Sequence, residues 1–135
     1  LKLFVTVVGK IVDIDTGDMF KRKHFANTTL CQGKVEHGQC LKCGDYTPGE
    51  LAYGFIIFVA DSARSAKLKL HVSHKGGVAL FGMLPDAFAA QSKDEIATKK
   101  ESLAGHKFAI ELIANVNPRK NDVYYTAYNV QLLML

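Results

Sequence analysis

Alternating hydrophobic and polar residues predict five long β-strands in this chain. In residues 66–72, for instance, leucine and valine alternate with lysine and histidine, so one face is apolar and the other cationic. β-Branched and aromatic residues, which favour strands, are frequent in all five segments. The predicted strands cover residues 3–14, 51–60, 66–72, 106–115 and 123–132.

Between the third and fourth of these strands the hydrophobic period becomes helical. Ser73 is a suitable helix N-cap, and Gly82 is a suitable stop. Pro85 suits the first turn of a second helix, which Gly105 ends, although its polar portion at 92–102 is expected to be partly loop. A five-stranded barrel with a helix between strands 3 and 4 is the OB-fold. We therefore predict an all-β OB-fold barrel with one or two helices.

Residues 19–48 do not belong to this barrel pattern. The segment 19–30 reads as an extended, basic strand, and 31–46 contains three glycines and little hydrophobic mass. Such a stretch cannot form a core of its own and needs a cross-link to stabilise its fold, which a bound metal ion would supply. We predict a single domain over residues 1–135, with 19–48 inserted between strands 1 and 2.

The three cysteines of the chain all lie in this insertion. Cys40 and Cys43 are two residues apart and followed by glycine, a knuckle that directs two sulfurs at one point, and Cys31 lies nine residues earlier. An odd, clustered set argues against a secreted disulfide framework. Three thiolates need a fourth ligand for tetrahedral Zn²⁺, and the nearby candidates are His24 and His37. Four protein ligands leave no open position for a catalytic water, so the predicted zinc site is structural.

Composition narrows the class of protein. The chain has 135 residues, of which 48 % are hydrophobic, so it is long and apolar enough for a folded domain. No apolar run approaches membrane-spanning length, and the alternating first residues do not form a signal peptide. Because it begins at Leu1, we expect it to be part of a longer protein. The net charge of +4 is compatible with nucleic-acid binding.

Several of these segments together resemble one family. Residues 31–35 and 40–43 align with cysteines of a zinc ribbon, 51–59 and 66–72 with the hairpin that follows it, and 78–83 with a short helix ending in glycine. In this order they resemble the C-terminal DNA-binding domain of the replication protein A large subunit. The resemblance implies an OB-fold with a zinc ribbon in its first long loop, binding single-stranded DNA in a nuclear, multi-subunit complex.

The chain departs from the family at one ligand. The family's first cysteine would fall near Ala26, where the chain has no thiol, and the resemblance therefore favours His24 over His37 as the replacement. The implied metal ligands are His24, Cys31, Cys40 and Cys43. The departure also implies a specialised paralogue, such as a subunit of a telomere, telomerase-associated or DNA-repair complex.

The binding groove of an OB-fold crosses the middle strands and is flanked by the first loop and the last hairpin loop. Basic residues in these places would contact phosphates, and exposed aromatic rings would stack on bases. For any single residue, solvated surface or core packing is the competing interpretation, and His71, His74 and His106 are interpreted as ordinary surface or strand-end residues. The candidate contacts are Phe20, Lys21, Arg22, Lys23, Phe25, Phe58, Lys67, Lys69, Arg119, Lys120 and Tyr124.

No catalytic constellation is visible in the sequence. There is no His-x-Glu pair of a zinc deaminase and no Walker-type phosphate loop. We therefore predict a non-enzymatic domain that binds single-stranded DNA. The alternative is an OB domain that assembles a complex through protein contacts with little DNA binding of its own, which the apolar tail at 130–135 would serve.

Overall fold

The computed structural model describes residues 2–15, 18–24, 31, 33–60, 67–117, 119 and 122–133. These residues form nine strands and three helices. In chain order they are β1 (Lys2–Asp15), β2 (Phe20–His24), β3 (Gly33–Glu36), β4 (Gln39–Cys40), β5 (Glu50–Tyr53), β6 (Phe55–Ala60), β7 (Lys67–Val72), α1 (His74–Phe81), α2 (Pro85–Ala89), α3 (Lys93–Leu103), β8 (Lys107–Asn117) and β9 (Asp122–Leu132).

Five of the strands close into a barrel in the order β1-β6-β7-β9-β8. All neighbours are antiparallel except β7 and β9, which pair in parallel at His71–Thr126 and Val72–Ala127. The long strand β1 closes the barrel because its first half pairs with β8 and its second half pairs with β6. The three helices lie in the chain between β7 and β8. This is the OB-fold topology, and the predicted fold class is confirmed.

Inward-facing residues of the barrel strands form one core with the helices. Ile57, Leu70 and Ile110 are fully buried in it. An aromatic cluster closes one side, where Tyr53 packs edge-on against Phe55 at 6.0 Å between ring centroids. Burial raises the pKa of Tyr53 to about 12, and its hydroxyl donates to the carbonyl of Met83 at 2.9 Å. This bond links the end of β5 to the turn after α1.

The helix boundaries follow the predicted caps. The Ser73 hydroxyl accepts from the Gly76 N–H at 3.2 Å, and Gly82 ends α1 with φ +67°. Pro85 opens α2. The expectation of partly loop structure at 92–102 was wrong, because Ser92 and Glu95 form a capping box that starts α3. No residue of α3 is buried, so its polarity reflects solvent exposure rather than lack of structure.

The predicted strand 51–60 is in fact two strands that belong to two sheets. Gly54 separates them, and its N–H donates to the Met19 carbonyl at 2.8 Å. β6 enters the barrel, whereas β5 joins a second sheet of order β4-β3-β2-β5. We call this second sheet, from Phe20 to Tyr53, the ribbon sheet. In the described part of the chain, no helix has the length and apolar character needed to cross a bilayer.

Helix α1 lies unusually close to the strands beneath it at two glycines. A Cβ on Gly76 would lie 2.5 Å from the Ala127 carbonyl oxygen, and a Cβ on Gly77 would lie 2.6 Å from the Cβ of Tyr53. We expect Gly77→Ala to lower the free energy of unfolding by about 1–3 kcal/mol, because the buried Tyr53 ring has no space to withdraw. Urea denaturation followed by circular dichroism measures this change.

Gly54→Ala is the matched control for that substitution. Its added Cβ would lie 3.2 Å from Cε of Lys21, which is the flexible end of an exposed side chain. We expect a change within about 0.5 kcal/mol. Equal losses of stability in the two variants would contradict the close packing of α1 on Tyr53.

Candidate metal centre and nucleic-acid interface

The ribbon sheet brings the ends of three short strands together. β2 pairs with β3 so that His24 lies opposite Gly33. β3 turns into β4 through His37 and Gly38, whose φ values of +53° and +73° are those of a two-residue hairpin turn. In the next ladder Val35 lies opposite Cys40. The end of β2, the start of β3 and the end of β4 therefore meet at one edge.

Four side chains converge at this edge. Sγ of Cys31 lies 3.5 Å from Sγ of Cys40, and Sγ of Cys43 lies 3.2 Å from Nδ1 of His24. All four ligand atoms lie within 4.8 Å of one another. Tetrahedral ligands at Zn–S of about 2.3 Å and Zn–N of about 2.0–2.1 Å are separated by roughly 3.5–3.8 Å. Two of the separations, 3.2 and 3.5 Å, are at or just below this range and none exceeds 4.8 Å, so small side-chain shifts would let these three sulfurs and one nitrogen hold a single metal ion.

The knuckle predisposes one thiol to ionise. Backbone hydrogen bonds from Cys43, and more weakly from Lys42, lower the pKa of Cys40 to about 6, with a smaller contribution from Cys31. The backbone of Asp45 lowers the pKa of Cys43, but desolvation and the neighbouring Cys40 and Cys31 outweigh it and raise that pKa to about 11. The thiols thus compete for negative charge. A divalent cation removes this competition because it favours the thiolate at every sulfur that it binds.

Gly33 allows the close approach of ligand and strand. A Cβ at this position would lie 2.6 Å from Sγ of Cys40 and 2.5 Å from Cβ of Lys42. Any larger residue would therefore push the knuckle away from β3. The sequence analysis did not single out Gly33, since only the ladder register shows which glycine faces the sulfur.

The two histidine candidates lie in different places. His24 is half-buried at the end of β2 and belongs to the cluster. His37 is exposed at the tip of the β3–β4 turn. Among the described residues, the cluster includes His24 and not His37. The four residues predicted as ligands are therefore the four that the fold brings together.

A groove of about 550 Å³ lies between the ribbon sheet and the barrel. Its floor includes a row of side chains across four barrel strands, because Asp15 is opposite Ile56, Ile56 is opposite His71, and His71 is opposite Thr126. The ribbon side contributes Lys21 and Lys23. The full lining is Asp15, Asp18, Lys21, Lys23, Tyr53, Gly54, Phe55, Ile56, His71, Val72, Ser73, Tyr124 and Thr126.

Two rings stack in this groove. Tyr124 and His71 lie nearly parallel, with 4.1 Å between ring centroids and 20° between planes. The Tyr124 residue is half-exposed to solvent, at 50 %. Burial, and then the charge of Lys69, lower the pKa of His71, so the imidazole is neutral at neutral pH. The pair is therefore an uncharged aromatic platform with room above it.

Several groove residues were not predicted from the sequence, and His71 is the aromatic one in the stack. Alternation in residues 66–72 correctly placed it on the outward face with Lys67 and Lys69. It was nevertheless interpreted as an ordinary surface residue, because its aromatic partner comes from β9, more than fifty positions later in the chain. Parallel pairing of β7 with β9 creates the stack.

The charges of the groove are mixed. Lys21 and Lys23 are accompanied by Asp15 and Asp18, and Lys21 Nζ lies 4.0 Å from Oδ2 of Asp18. At these exposures such a pair contributes little to stability. The groove itself is thus better suited to bases than to a run of phosphates.

The other candidate contacts lie in several places. Phe58 and Lys69 are opposite each other on the outward face, and Lys67 lies two positions earlier, at the start of β7. Arg22 projects away from the groove and lines a second cavity of about 240 Å³ with Glu50, His74 and Leu84.

Phe20 is half-buried and packs against the core, with ring centroids 5.8 Å from Tyr53 and 6.0 Å from Phe88. Its ring is therefore part of the core packing rather than of the groove. Arg119 is exposed in the β8–β9 connection. Phe25 and Lys120 lie outside the described residues.

No protein-family model matches this chain, and no curated protein matches it. Solved structures do match. A replication protein A heterotrimer bound to single-stranded DNA contains a chain that aligns with 99 % of this one at 18 % identity and a TM-score of 0.75. Yeast replication protein A bound to single-stranded DNA aligns with 98 % at 17 % identity and a TM-score of 0.69.

This chain spans 33 % of the first matched chain and 78 % of the second. At these identities the comparison concerns the fold. The chain shares the OB-fold of replication protein A, as its sequence motifs predicted, and its histidine and cysteine cluster is compatible with the zinc ribbon of the resemblance.

Proposed function

We propose that this domain binds single-stranded DNA in the groove between the ribbon sheet and the barrel, without catalysing a reaction. The observation that carries the proposal is the Tyr124–His71 stack, which lies at the floor of that groove. OB-folds bind oligonucleotides on this face, and aromatic side chains that accept stacked bases are the main sequence-tolerant source of affinity. The matched structures hold single-stranded DNA, which supports the proposal.

We further propose that the metal ion is Zn²⁺ and that its role is structural. His24, Cys31, Cys40 and Cys43 would fill all four positions, which leaves none for a reacting water. The ion would hold the ribbon sheet in place, and that sheet supplies the Lys21 and Lys23 wall of the groove. In this proposal residues 1–135 act as one domain, with 19–48 as the zinc-ribbon insertion.

The same resemblance supports a proposal for the cellular setting. We propose a subunit of a heteromeric genome-maintenance complex in the nucleus, related to replication protein A and acting at telomeres or in DNA repair. The first matched structure is a heterotrimer, which supports a multi-subunit assembly for this domain as well.

A protein-interaction role is the second candidate. Phe4 is 71 % exposed, and Val8 and Val12 on the same face of β1 are also exposed. Exposed apolar stripes of this kind mark protein contacts. This face lies on the outside of β1, so it is compatible with DNA in the groove.

Oligonucleotide binding across a salt series tests the proposed function. Each phosphate contact contributes about 0.7 to the slope of log K against log salt for single strands. We expect the double variant Lys23→Gln/Lys69→Gln to bind more weakly and to lose about 1.4 from this slope. Fluorescence anisotropy with a labelled oligonucleotide of about 12 nucleotides measures both quantities.

The control is Lys75→Gln/Lys93→Gln, which removes the same charge from α1 and α3, outside the groove. We expect its slope to equal that of the unmodified protein. If folded, metal-loaded protein binds no oligonucleotide at low salt but binds a partner protein, the DNA-binding proposal is wrong and the interaction role stands.

A further inference from the structure

Beyond the groove, a row of lysines crosses the outer face of the barrel. Lys107 of β8 lies opposite Lys10 of β1, Lys10 is also opposite Ala60 of β6, and Ala60 is opposite Lys67 of β7. The inward-facing neighbours Ile11, Val59 and Phe108 are buried, so these four residues project outward. We call Lys10, Lys67 and Lys107 the lysine row.

The lysine row concentrates positive charge at a place where that charge does not stabilise the fold. Lys10 and Lys107 are directly opposite in an antiparallel pair, an arrangement in which like charges destabilise the sheet. Within the described ranges, none of the three lysines forms an ion pair, and the acidic Asp13 nearby is 3.3 Å from Lys100. An arrangement that costs stability and has no internal partner indicates an external anion.

The row is continuous with the groove. The groove floor at Ile56 and His71 is followed, two residues along each strand, by Phe58 and Lys69, and two residues further by Ala60 and Lys67. Each step advances about 6.6–6.8 Å along the strands. One outward surface therefore leads from the stacked rings, past an apolar ring and a lysine, to the lysine row.

Charge changes sharply along this surface. The groove holds both Asp15 and Asp18 beside its lysines, whereas the acidic residue near the row, Asp13, is already paired with Lys100. Backbone phosphates favour the second environment, and bases tolerate the first.

We propose that the lysine row is a second nucleic-acid subsite, which binds backbone phosphates of a single strand after it leaves the groove. The proposal rests on the proposed function and extends its binding path onto β1 and β8. The occupant is a phosphodiester backbone, because three amino groups in line across the sheet present repeated positive charge, which a chain of phosphates matches.

The test measures how two oligonucleotides of different length bind to the unmodified protein and to the variant Lys10→Gln/Lys107→Gln. One oligonucleotide, of about 4 nucleotides, is near the lower limit for an OB-fold site, and the other has about 12. With the longer one, we expect the slope of log K against log salt to fall by about 1.4, because two phosphate contacts are lost. The unmodified protein then loses about sevenfold more affinity than the variant between 50 and 200 mM salt. With the shorter one, we expect no change.

Lys75→Gln/Lys93→Gln is again the charge-matched control. If the Lys10→Gln/Lys107→Gln variant keeps the unmodified slope with the longer oligonucleotide, the subsite is refuted, whether or not the row then proves to bind an acidic protein segment. Equal losses with both oligonucleotides would also refute it. If instead the unmodified protein binds neither oligonucleotide, the proposed function itself has failed, which is a distinct result.

Discussion

Cys40→Ser is expected to abolish stoichiometric zinc binding and to unfold the ribbon sheet while the barrel remains folded. Cys40 is 1 % exposed and lies at the centre of the cluster. The ribbon sheet has little hydrophobic core of its own. Among its described residues, Val35 and Ala52 are buried without belonging to the barrel core, and few others are. A structural Zn²⁺ site contributes about 10–16 kcal/mol of apparent binding free energy, so with the proposed ion bound the ribbon sheet would depend on it for most of its stability.

Metal analysis after gel filtration measures the zinc content of this variant, and amide exchange separates ribbon from barrel. We expect less than one zinc per chain, loss of protection in β2–β5, and retained protection in β6–β9. Removal of the metal from the unmodified protein with a chelator should reproduce the same pattern. A variant that retains one zinc per chain with an ordered ribbon sheet would contradict the proposed centre.

A second pair of variants tests whether His24 or His37 is the fourth metal ligand. We expect His24→Ala to lose zinc and His37→Asn to keep it. Asparagine is the suitable control because it tolerates the positive φ of +53° at position 37. The reverse result would assign the fourth ligand to His37 and leave the rest of the site intact.

The sequence was sufficient for the parts of the fold that local signals specify. Alternation in residues 66–72 predicted which residues of β7 are buried, because one face of that strand meets the core and the other meets water. Ser73 and Gly82 predicted the limits of α1, since each satisfies backbone groups at one helix end. The three cysteines of the cluster were predictable for a similar reason, because cysteine spacing is itself a geometric signal, whereas the choice of His24 over His37 came from the family resemblance.

Other features depend on contacts that no local pattern contains. The break at Gly54 follows from its hydrogen bond to Met19, which divides one apolar run between two sheets. Arg22 and Lys23 were one basic cluster in the sequence, yet alternation along β2 sends them to different cavities. The position of Phe20 in the core likewise results from helix α2, whose Phe88 packs on it.

Tyr124→Ala is expected to weaken oligonucleotide binding by about 5- to 150-fold, which corresponds to the 1–3 kcal/mol typical of one stacked base. The ring is half-exposed above the groove floor and rests on the His71 imidazole at 4.1 Å. Its loss removes the upper surface of the platform. Tyr46, which is 85 % exposed in the ribbon and does not line the groove, provides the control: we expect Tyr46→Ala to bind as the unmodified protein does.

A double-mutant cycle decides whether the two rings act as a unit. If His71 orients Tyr124 for the base, His71→Ala will weaken binding on its own, and the double variant His71→Ala/Tyr124→Ala will be little worse than Tyr124→Ala. Additive losses would mean that each ring contacts the strand independently. Unchanged binding in Tyr124→Ala would remove the observation on which the DNA-binding proposal depends, because the mixed charges of the groove alone do not favour a nucleic acid over other ligands.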